Sequence, residues 1–342
     1  KSDLREPKIK LYSFGQASRF VLVTLIIGTG IGLIVSLVAS LFVAGLHFLT
    51  DQRIRMDSYY PFLEFADGSL VPMIWLIAAA LLLWCVRRLF RIQRWHGPAD
   101  SIFGAHRLDN EIDVKSGVGS TLGAFVSIAG GASVGQYGPL VHFGATIGTF
   151  LRQMIARYQS DGKEIIGTDV FIGCGVAAAI AAGFHAPIAG IVFAHEAVLR
   201  HFSFRALTPI AIASITSVWF STAVFGDEPL FTLNATAADL LPMVPVLLAS
   251  GLIFGLIAMI FMLVLLNVSS IAAKSSLPPL ALALVAAITC GAVAIFVPEI
   301  LGSGVDEINL IFAGGYTLGF LFLLVILVMI VLFLETLVWA NR

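Results

Sequence analysis

The sequence predicts an all-α, polytopic membrane protein in which several helices are broken inside the membrane. Hydrophobic residues make up 58% of its 342 residues and charged residues only 12%, whereas soluble proteins carry roughly a quarter charged residues. Apolar stretches recur along the whole chain, and glycine and proline interrupt some of them. Such interruptions are tolerated at membrane depth only where protein buries the backbone or where it lines a wet cavity.

The apolar stretches have the length of membrane spans, since a helix needs about 20 apolar residues to cross the hydrocarbon core. The first and sixth stretches approach thirty residues, which predicts strongly tilted helices. Glycine and proline divide the third and fourth stretches, so each is predicted to form a pair of short helices. The stretches cover residues 19–49, 69–90, 116–157, 168–199, 206–225, 240–268, 279–298 and 317–340.

The predicted organisation is a single membrane domain over residues 1–342 with two related halves. Residues 1–18 form a polar segment, and its lysines and arginines place it on the cytoplasmic side. The halves are expected at 19–199 and 206–342, the second of them incomplete. A faint internal echo supports the division, because HGPADSIFGA (96–105) and GSGVDEINLIFAG (302–314) each place an acidic residue and then an isoleucine after a glycine. The matched residues are Gly97, Asp100 and Ile102 in the first stretch, and Gly304, Asp306 or Glu307, and Ile308 in the second. The net charge of −1 gives no electrostatic reason to bind nucleic acid.

The stretch GGASVGQYGPLVH (130–142) carries the first functional signal. Its glycines permit backbone conformations that are closed to other residues, and Gly138-Pro139 marks the start of a helix. The unpaired N–H groups and the positive end of that helix are therefore expected to point into the protein interior. This arrangement suits an anion and does not require a buried lysine.

Two further breaks repeat this pattern. Gly183 to Pro187 interrupts an Ala/Gly-rich helix, and Gly97-Pro98 opens another with Asp100 at its positive end. A single glycine-rich kink is explained equally well by helices that cross closely. Three breaks at similar depth favour a shared ion-binding junction over three independent kinks.

These motifs resemble the CLC family of chloride channels and chloride/proton antiporters. GGASVGQYGPLVHFGATIG resembles the Gly-x-Glu-Gly-Pro motif of that family, and GFHAPIAGIVFAHE resembles its AxFxAPLAGxxFxxEE stretch. WHGPADSI stands where the family has a Gly-Ser-Gly-Ile-Pro-Glu or Gly-His-Gly-Val-Pro-Glu signature. The resemblance implies an inverted-repeat bundle with broken and re-entrant helices. It also implies a homodimer in the lipid bilayer of the cell membrane, one pore per subunit, chloride or another halide as the transported ion, and no cofactor.

The departures from the family motifs concern proton handling. Tyr137 stands where the family has its gating glutamate, and a phenol with an ordinary pKa of about 10 stays neutral. Tyr137 is therefore expected to act as a gate by its bulk or by donating its O–H to a passing anion. Glu196 matches the first glutamate of the family's EE pair, and Ala197 replaces the second.

Two groups of candidate site residues follow. The resemblance and the helix starts together give the anion-binding candidates His96, Gly97, Pro98, Gly135, Gln136, Gly138 and Pro139. His96 aligns with the motif position that reaches the central chloride. Candidates for a proton site or an ion pair are Glu196, His195, His142 and His185; a structural ion pair between Glu196 and Arg200 is the alternative for Glu196. No catalytic or metal-binding constellation is evident in the sequence.

The functional hypothesis is a channel that conducts chloride or a similar small anion passively, and an enzyme is not expected. One alternative is a chloride/proton antiporter that uses other titratable residues. Another is a non-conducting scaffold, because the chain stops at LETLVWANR, about where the family continues into a Gly-x-Phe-x-Pro motif. The sequence is therefore expected to be part of a longer protein or a shortened member of the family.

Overall fold

A computed structural model describes residues 14–59, 64–65, 68–107, 112–157, 166–226, 231, 240–274 and 277–340. Most of the predicted N-terminal segment 1–18 lies outside these residues. The helices are α1 (Phe14–Tyr59), α2 (Val71–Phe90), α3 (Pro98–His106), α4 (Val114–Ala129), α5 (Tyr137–Ala156), α6 (Thr168–Phe184), α7 (Pro187–Phe193), α8 (Phe204–Phe225), α9 (Leu240–Lys274), α10 (Pro279–Ala294), α11 (Val305–Phe312) and α12 (Leu318–Ala340). A π-helical segment, Ala194–Leu199, continues α7, and a 3₁₀ turn, Pro298–Ile300, follows α10. Between α1 and α2, strands β1 (Glu64–Phe65) and β2 (Gly68–Ser69) pair antiparallel.

Five helices in the described part of the chain are long and apolar enough to cross a membrane: α1, α2, α8, α9 and α12. With 46 residues, α1 is about 70 Å long at 1.5 Å per residue. It therefore exceeds a hydrocarbon core of about 30 Å, and α9, with 35 residues, does so as well. The long helices predicted for the first and sixth apolar stretches are therefore present, as α1 and α9.

One group of helices packs around α6, which is buried on all sides from Val170 to Ala182. Its Ala- and Gly-rich sequence lets neighbouring backbones approach closely. A side chain at Gly175 would collide with the carbonyl oxygen of Gly144 on α5, and one at Gly144 would collide with that of Gly175. Two serine hydroxyls add polar links: Ser36 of α1 donates to the Ser217 carbonyl, and Ser217 donates to the Ala178 carbonyl, each at 2.7 Å.

A second group joins α2, α10 and α12 through a shared apolar cluster. Leu76 of α2, Cys290 of α10 and Val331 of α12 belong to this cluster. The long helix α9 contacts α12 and leaves most of its own apolar surface exposed. Helices of the two predicted halves therefore pack against each other. Helix α2 of the first half packs with α10 of the second, and α8 of the second half packs with α1 and α6 of the first.

The predicted breaks occur where glycine and proline interrupt the apolar stretches. Between α4 and α5 the chain leaves helical geometry at residues 130–136, and between α6 and α7 it turns at His185, whose φ is 52°. One boundary differs from the prediction: α5 begins at Tyr137, so Pro139 is its third residue and not its first. Proline is still compatible with this position, because the first turn of a helix leaves its N–H groups without intrahelical partners.

Candidate functional site

Residues 130–136, termed here the glycine loop, connect α4 to α5, and neighbouring segments fix their backbone conformation. Gly131 has a φ of +103°, which side chains rarely tolerate, and a Cβ there would also collide with the Arg53 guanidinium. The carbonyl of Gly131 accepts a hydrogen bond from the Gly302 N–H at 3.0 Å. The loop is therefore held by α1 on one side and by the segment that precedes α11 on the other.

A cavity of about 210 Å³, termed here the histidine cavity, lies beside the glycine loop. Five of the seven predicted anion-binding residues line it. The lining comprises His96, Gly97, Pro98, Ser120, Thr121, Ala124, Val134, Gly135, Pro139 and His142. Of the other two predicted residues, Gln136 lines a different cavity, and a Cβ at Gly138 would lie 3.4 Å from Cγ of Pro98. The structure thus brings the breaks before α3 and α5 to one place.

Two histidines supply polar atoms to this cavity. Nδ1 of His142 lies 2.8 Å from the hydroxyl of Ser101, and the rings of His142 and His96 are 5.8 Å apart. The backbone N–H of His96 donates to the Ser120 hydroxyl at 2.9 Å. Among the described residues, Nδ1 of His96 and Nε2 of His142 are buried and have no hydrogen-bond partner. Because buried polar atoms are normally paired, these two nitrogens indicate a ligand site.

The backbone adds donors beside this cavity, in the glycine loop and at the start of α5. Within the described part of the chain, the N–H groups of residues 135, 136, 137 and 138 make no backbone hydrogen bond, and the N–H of Leu140 is the first to bond back into α5. These groups form the positive end of a helix of 20 residues. A small anion is the ligand that neutral N–H donors at a helix start bind best.

Asp100 does not bring uncompensated negative charge to the histidine cavity. Its carboxylate accepts the Gly97 N–H at 2.8 Å, as predicted for a residue that caps α3, and pairs with Arg94. Burial raises the pKa of the Asp100 carboxyl, but these two partners outweigh burial and hold the pKa below its usual value. Asp100 therefore stays ionised, and its carboxylate caps the start of α3 and pairs with Arg94.

A second cavity of about 310 Å³, termed here the acidic cavity, reaches the glycine loop at Gln136. Glu299, Asp306 and Glu307 line it, together with Arg53 and His47. Burial first, and then the neighbouring carboxylates, raise the pKa of Glu307. Because Gly135 lines one cavity and Gln136 the other, consecutive residues of the loop face two different spaces.

Tyr137 lies at the end of the loop and packs against α6. Its ring stacks on Phe184 with centroids 3.7 Å apart, and a Cβ at Gly183 would come within 3.3 Å of it. Its hydroxyl is buried and has no hydrogen-bond partner in the described residues. Tyr137 is not among the residues that line either cavity.

The remaining candidates lie away from both cavities. His195 is fully buried, stacks on Phe202, and has its Nδ1 at 3.1 Å from the His201 carbonyl. His185 ends α6 in a left-handed conformation. Glu196 is exposed and, within the described chain, forms no ion pair with Arg200.

Sequence reasoning missed Ser101, which contacts the His142 ring, Ser120, which accepts the His96 backbone N–H, and Glu335 on α12. Glu335 is 6% exposed and accepts a hydrogen bond from the Ser133 N–H of the glycine loop. One signal for it was available, because an ionisable residue inside a strongly apolar stretch is by default a functional candidate. No sequence spacing pointed to the serines.

Comparison with known proteins places these features in context. The family model described as "Voltage gated chloride channel" matches residues 78–339. The chain is 28% identical over 219 residues to the voltage-gated ClC-type chloride channel ClcB of Yersinia pseudotuberculosis, which covers 63% of this chain and 51% of that protein. It is 25% identical over 209 residues to a putative chloride channel protein ClcB-like of Ralstonia nicotianae, over 59% of this chain and 46% of that protein. The chain thus spans about half the length of these relatives.

Solved structures agree on the architecture. A slow cyanobacterial Cl⁻/H⁺ antiporter matches with a TM-score of 0.77 and 18% identity, over 93% of this chain and 74% of that one. A CLC-type fluoride/proton antiporter matches with a TM-score of 0.74 and 21% identity, over 97% and 78%. These matches confirm the all-helical fold predicted from the sequence, in an integral membrane protein with several apolar helices.

Proposed function

Because the chain belongs to the family of voltage-gated chloride channels, we propose that it carries chloride or a similar small anion passively across the membrane. The observation that carries this proposal is the histidine cavity, where two buried ring nitrogens without partners in the described chain lie together with Gly135, just before the start of α5. The backbone N–H groups are neutral donors, and each of the two ring nitrogens is a neutral donor in one histidine tautomer. They attract an anion without a fixed cation that would hold it too tightly.

The geometry supports binding by hydrogen bonds and helix dipoles. When the Ser101 hydroxyl donates to Nδ1 of His142, the ring keeps its hydrogen on Nε2, the atom without a partner in the described chain. His142 then offers an N–H, and the backbone N–H of Gly135 offers another. A dehydrated anion regains in this cavity part of the hydrogen bonding that it loses in leaving water.

We assign the closing of the pathway to Tyr137. It follows Gly135 and Gln136, which line the two cavities, and its ring is wedged between the loop and Phe184. Its buried hydroxyl has no partner in the described chain and is a donor that an anion can use once the ring moves. Tyrosine stays neutral, so the pathway conducts without moving a proton at this position.

Family membership supports a proposal for the assembly. We propose a homodimer with a complete pathway in each subunit, and two inverted halves over residues 19–199 and 206–342. The short helices α3 and α11 support the division, because both begin after a glycine N-cap, Gly97 and Gly304, and carry acidic residues in their first turn. One lies at the histidine cavity and the other at the acidic cavity.

Anion flux measured together with internal pH tests passive conduction. Liposomes that contain the purified protein are expected to release chloride down its gradient when a potassium ionophore balances charge, with no stoichiometric proton movement. Protein-free liposomes are the control. A chloride gradient that drives protons uphill would contradict passive conduction, and absence of flux would favour a non-conducting scaffold.

Substitution of Tyr137 by glutamate tests the gate. Because an ionised carboxylate competes with an anion for the same donors, Tyr137→Glu is expected to lower flux at neutral pH and to restore it in acid, more steeply than in the unsubstituted protein. Tyr59→Glu, at a position 81% exposed, is the matched control. A pH profile identical to that of the unsubstituted protein would place Tyr137 outside the pathway.

A coupled anion/proton antiporter is the second candidate. Two of the solved structures with this fold are antiporters, and the buried imidazole of His142 lies at the cavity beside His96. Coupling through His142, His185 or Glu196 predicts that neutralising one of them uncouples anion from proton movement in the same liposome measurement.

A further inference from the structure

Glu335 is an ionisable group on a strongly apolar helix of the second helix group. It lies on α12, whose sequence LGFLFLLVILVMIVLFLETLVWA has no other charged residue, and its side chain is 6% exposed. A carboxylate costs several kcal/mol to bury without partners. Its presence there calls for a partner that compensates the charge or for a function.

The partner of Glu335 is the glycine loop. Oε1 accepts a hydrogen bond from the Ser133 N–H at 2.8 Å, between residues 202 positions apart in the chain. Ser133 directly precedes Val134 and Gly135, which line the histidine cavity. The carboxylate thus occupies a backbone donor of the loop in the way that a bound anion would.

The second carboxylate oxygen lies near the Cys290 thiol, at the edge of a small cavity. Oε2 is buried and, among the described residues, has no hydrogen-bond partner. It belongs to a side chain that lines a separate cavity of about 40 Å³, together with Ser127, Ala132 and Cys290. This volume has room for a water molecule, which can exchange a proton with the carboxylate.

We propose that Glu335 is the titratable group that controls the glycine loop. When its carboxylate is ionised, it holds the Ser133 amide and repels anions from the histidine cavity. When it is protonated, the hydrogen bond to Ser133 weakens and the repulsion is lost. This inference rests on the proposed anion pathway. The physical reason is that an ionised carboxylate only accepts hydrogen bonds and makes strong, charge-assisted ones, whereas a protonated one is neutral and accepts more weakly. A negative charge next to the loop also lowers anion affinity at short range.

Glu335 hydrogen-bonds directly to the loop backbone, whereas Glu299, Asp306 and Glu307 line the acidic cavity that reaches the loop at Gln136. Cys290 of α10 shares its cavity, Arg53 of α1 lies against Gly131, and Glu299 lies on the turn that packs against α12. On α2, the helix residues at this cavity are apolar, and Arg87 lies near Val338, further along α12. Helix α9 has Lys274 as its one charged residue, at its last position.

Anion flux as a function of pH in Glu335→Gln liposomes tests the proposal. Glutamine keeps an oxygen that accepts the Ser133 N–H but cannot titrate. The unsubstituted protein is expected to conduct about tenfold faster in acid than in alkaline buffer, the effect of about one pKa unit of differential interaction. Glu335→Gln is expected to conduct at the acid rate at every pH. Asp51→Asn, which removes an exposed carboxylate outside both large cavities, is the matched control and should keep the original profile.

An infrared measurement separates this proposal from the proposed function and from a folding defect. Adding chloride to the unsubstituted protein is expected to raise the carbonyl band of a protonated carboxylic acid, and Glu335→Gln should lack that change. Absence of anion flux in the unsubstituted protein contradicts the proposed function alone, and the infrared band then decides the role of Glu335. A pH profile retained in Glu335→Gln, or an unsubstituted protein without the chloride-dependent band, would overturn the role of Glu335.

Discussion

Replacement of Gly135 by leucine is expected to lower anion flux at least about tenfold, which corresponds to a barrier higher by about 1.4 kcal/mol, without unfolding the protein. A Cβ at Gly135 meets no atom within 4 Å, and its φ is not positive, so a side chain is tolerated there. The open space is the histidine cavity, so the leucine fills part of the space that the anion needs and covers the loop amides. Chloride efflux from liposomes, normalised to inserted protein, measures the effect.

Gly255→Leu is the matched control for Gly135→Leu. Gly255 lies on α9, also has no atom within 4 Å of a Cβ, and is exposed. The added side chain therefore meets the surroundings of the protein and not a cavity, and flux should remain at the original rate. Equal flux in Gly135→Leu and Gly255→Leu would show that anions do not pass beside the glycine loop.

Replacement of Gly175 by valine is expected to destabilise the folded protein by about 3 kcal/mol or more, because overpacking at a backbone contact cannot be relieved by side-chain rotation. Gly175 of α6 and Gly144 of α5 each lie against the carbonyl of the other, so a single Cβ forces the two helices apart. Since α6 is buried on all sides, α1 and α8 would have to move as well. Thermal unfolding in detergent, followed by tryptophan fluorescence, measures the loss.

Gly251→Val provides the comparison for Gly175→Val, because Gly251 is exposed on α9 and has no atom within 4 Å of a Cβ. Its unfolding midpoint should change little. A Gly175→Val protein that unfolds at the original temperature would mean that α5 and α6 do not cross at these glycines.

The helices and their breaks were predictable from the sequence because both depend on local features of the chain. The length of an apolar stretch sets the length of a helix, and glycine and proline set where it is interrupted. The apolar stretch 69–90 predicts α2 within two residues, and Gly183 to Pro187 predicts the turn between α6 and α7. The start of α5 was placed at Gly138-Pro139 because proline favours the first helical position. The structure begins the helix two residues before Pro139, since Tyr137 and Gly138 already have helical geometry there.

The candidate site was predictable in part, since five of the seven proposed anion-binding residues line one cavity. Their motifs precede helix starts, and the packing of α3 against α5 brings the two starts together. Gln136 lines the other cavity because successive residues of an extended loop face different sides. Ser101 and Ser120 could not be found from spacing, because their partners are 41 and 24 residues away.

The hydrogen bonds of the glycine loop also fix the order in which a newly made chain can finish folding. The Gly131 carbonyl is bonded by Gly302, and the Ser133 amide by Glu335, which is 202 residues later in the sequence. Residues 130–136 are synthesised before either partner exists, so the loop cannot adopt its final hydrogen bonding until α12 has been inserted. A nascent chain that is released early would therefore lack both of these hydrogen bonds of the glycine loop.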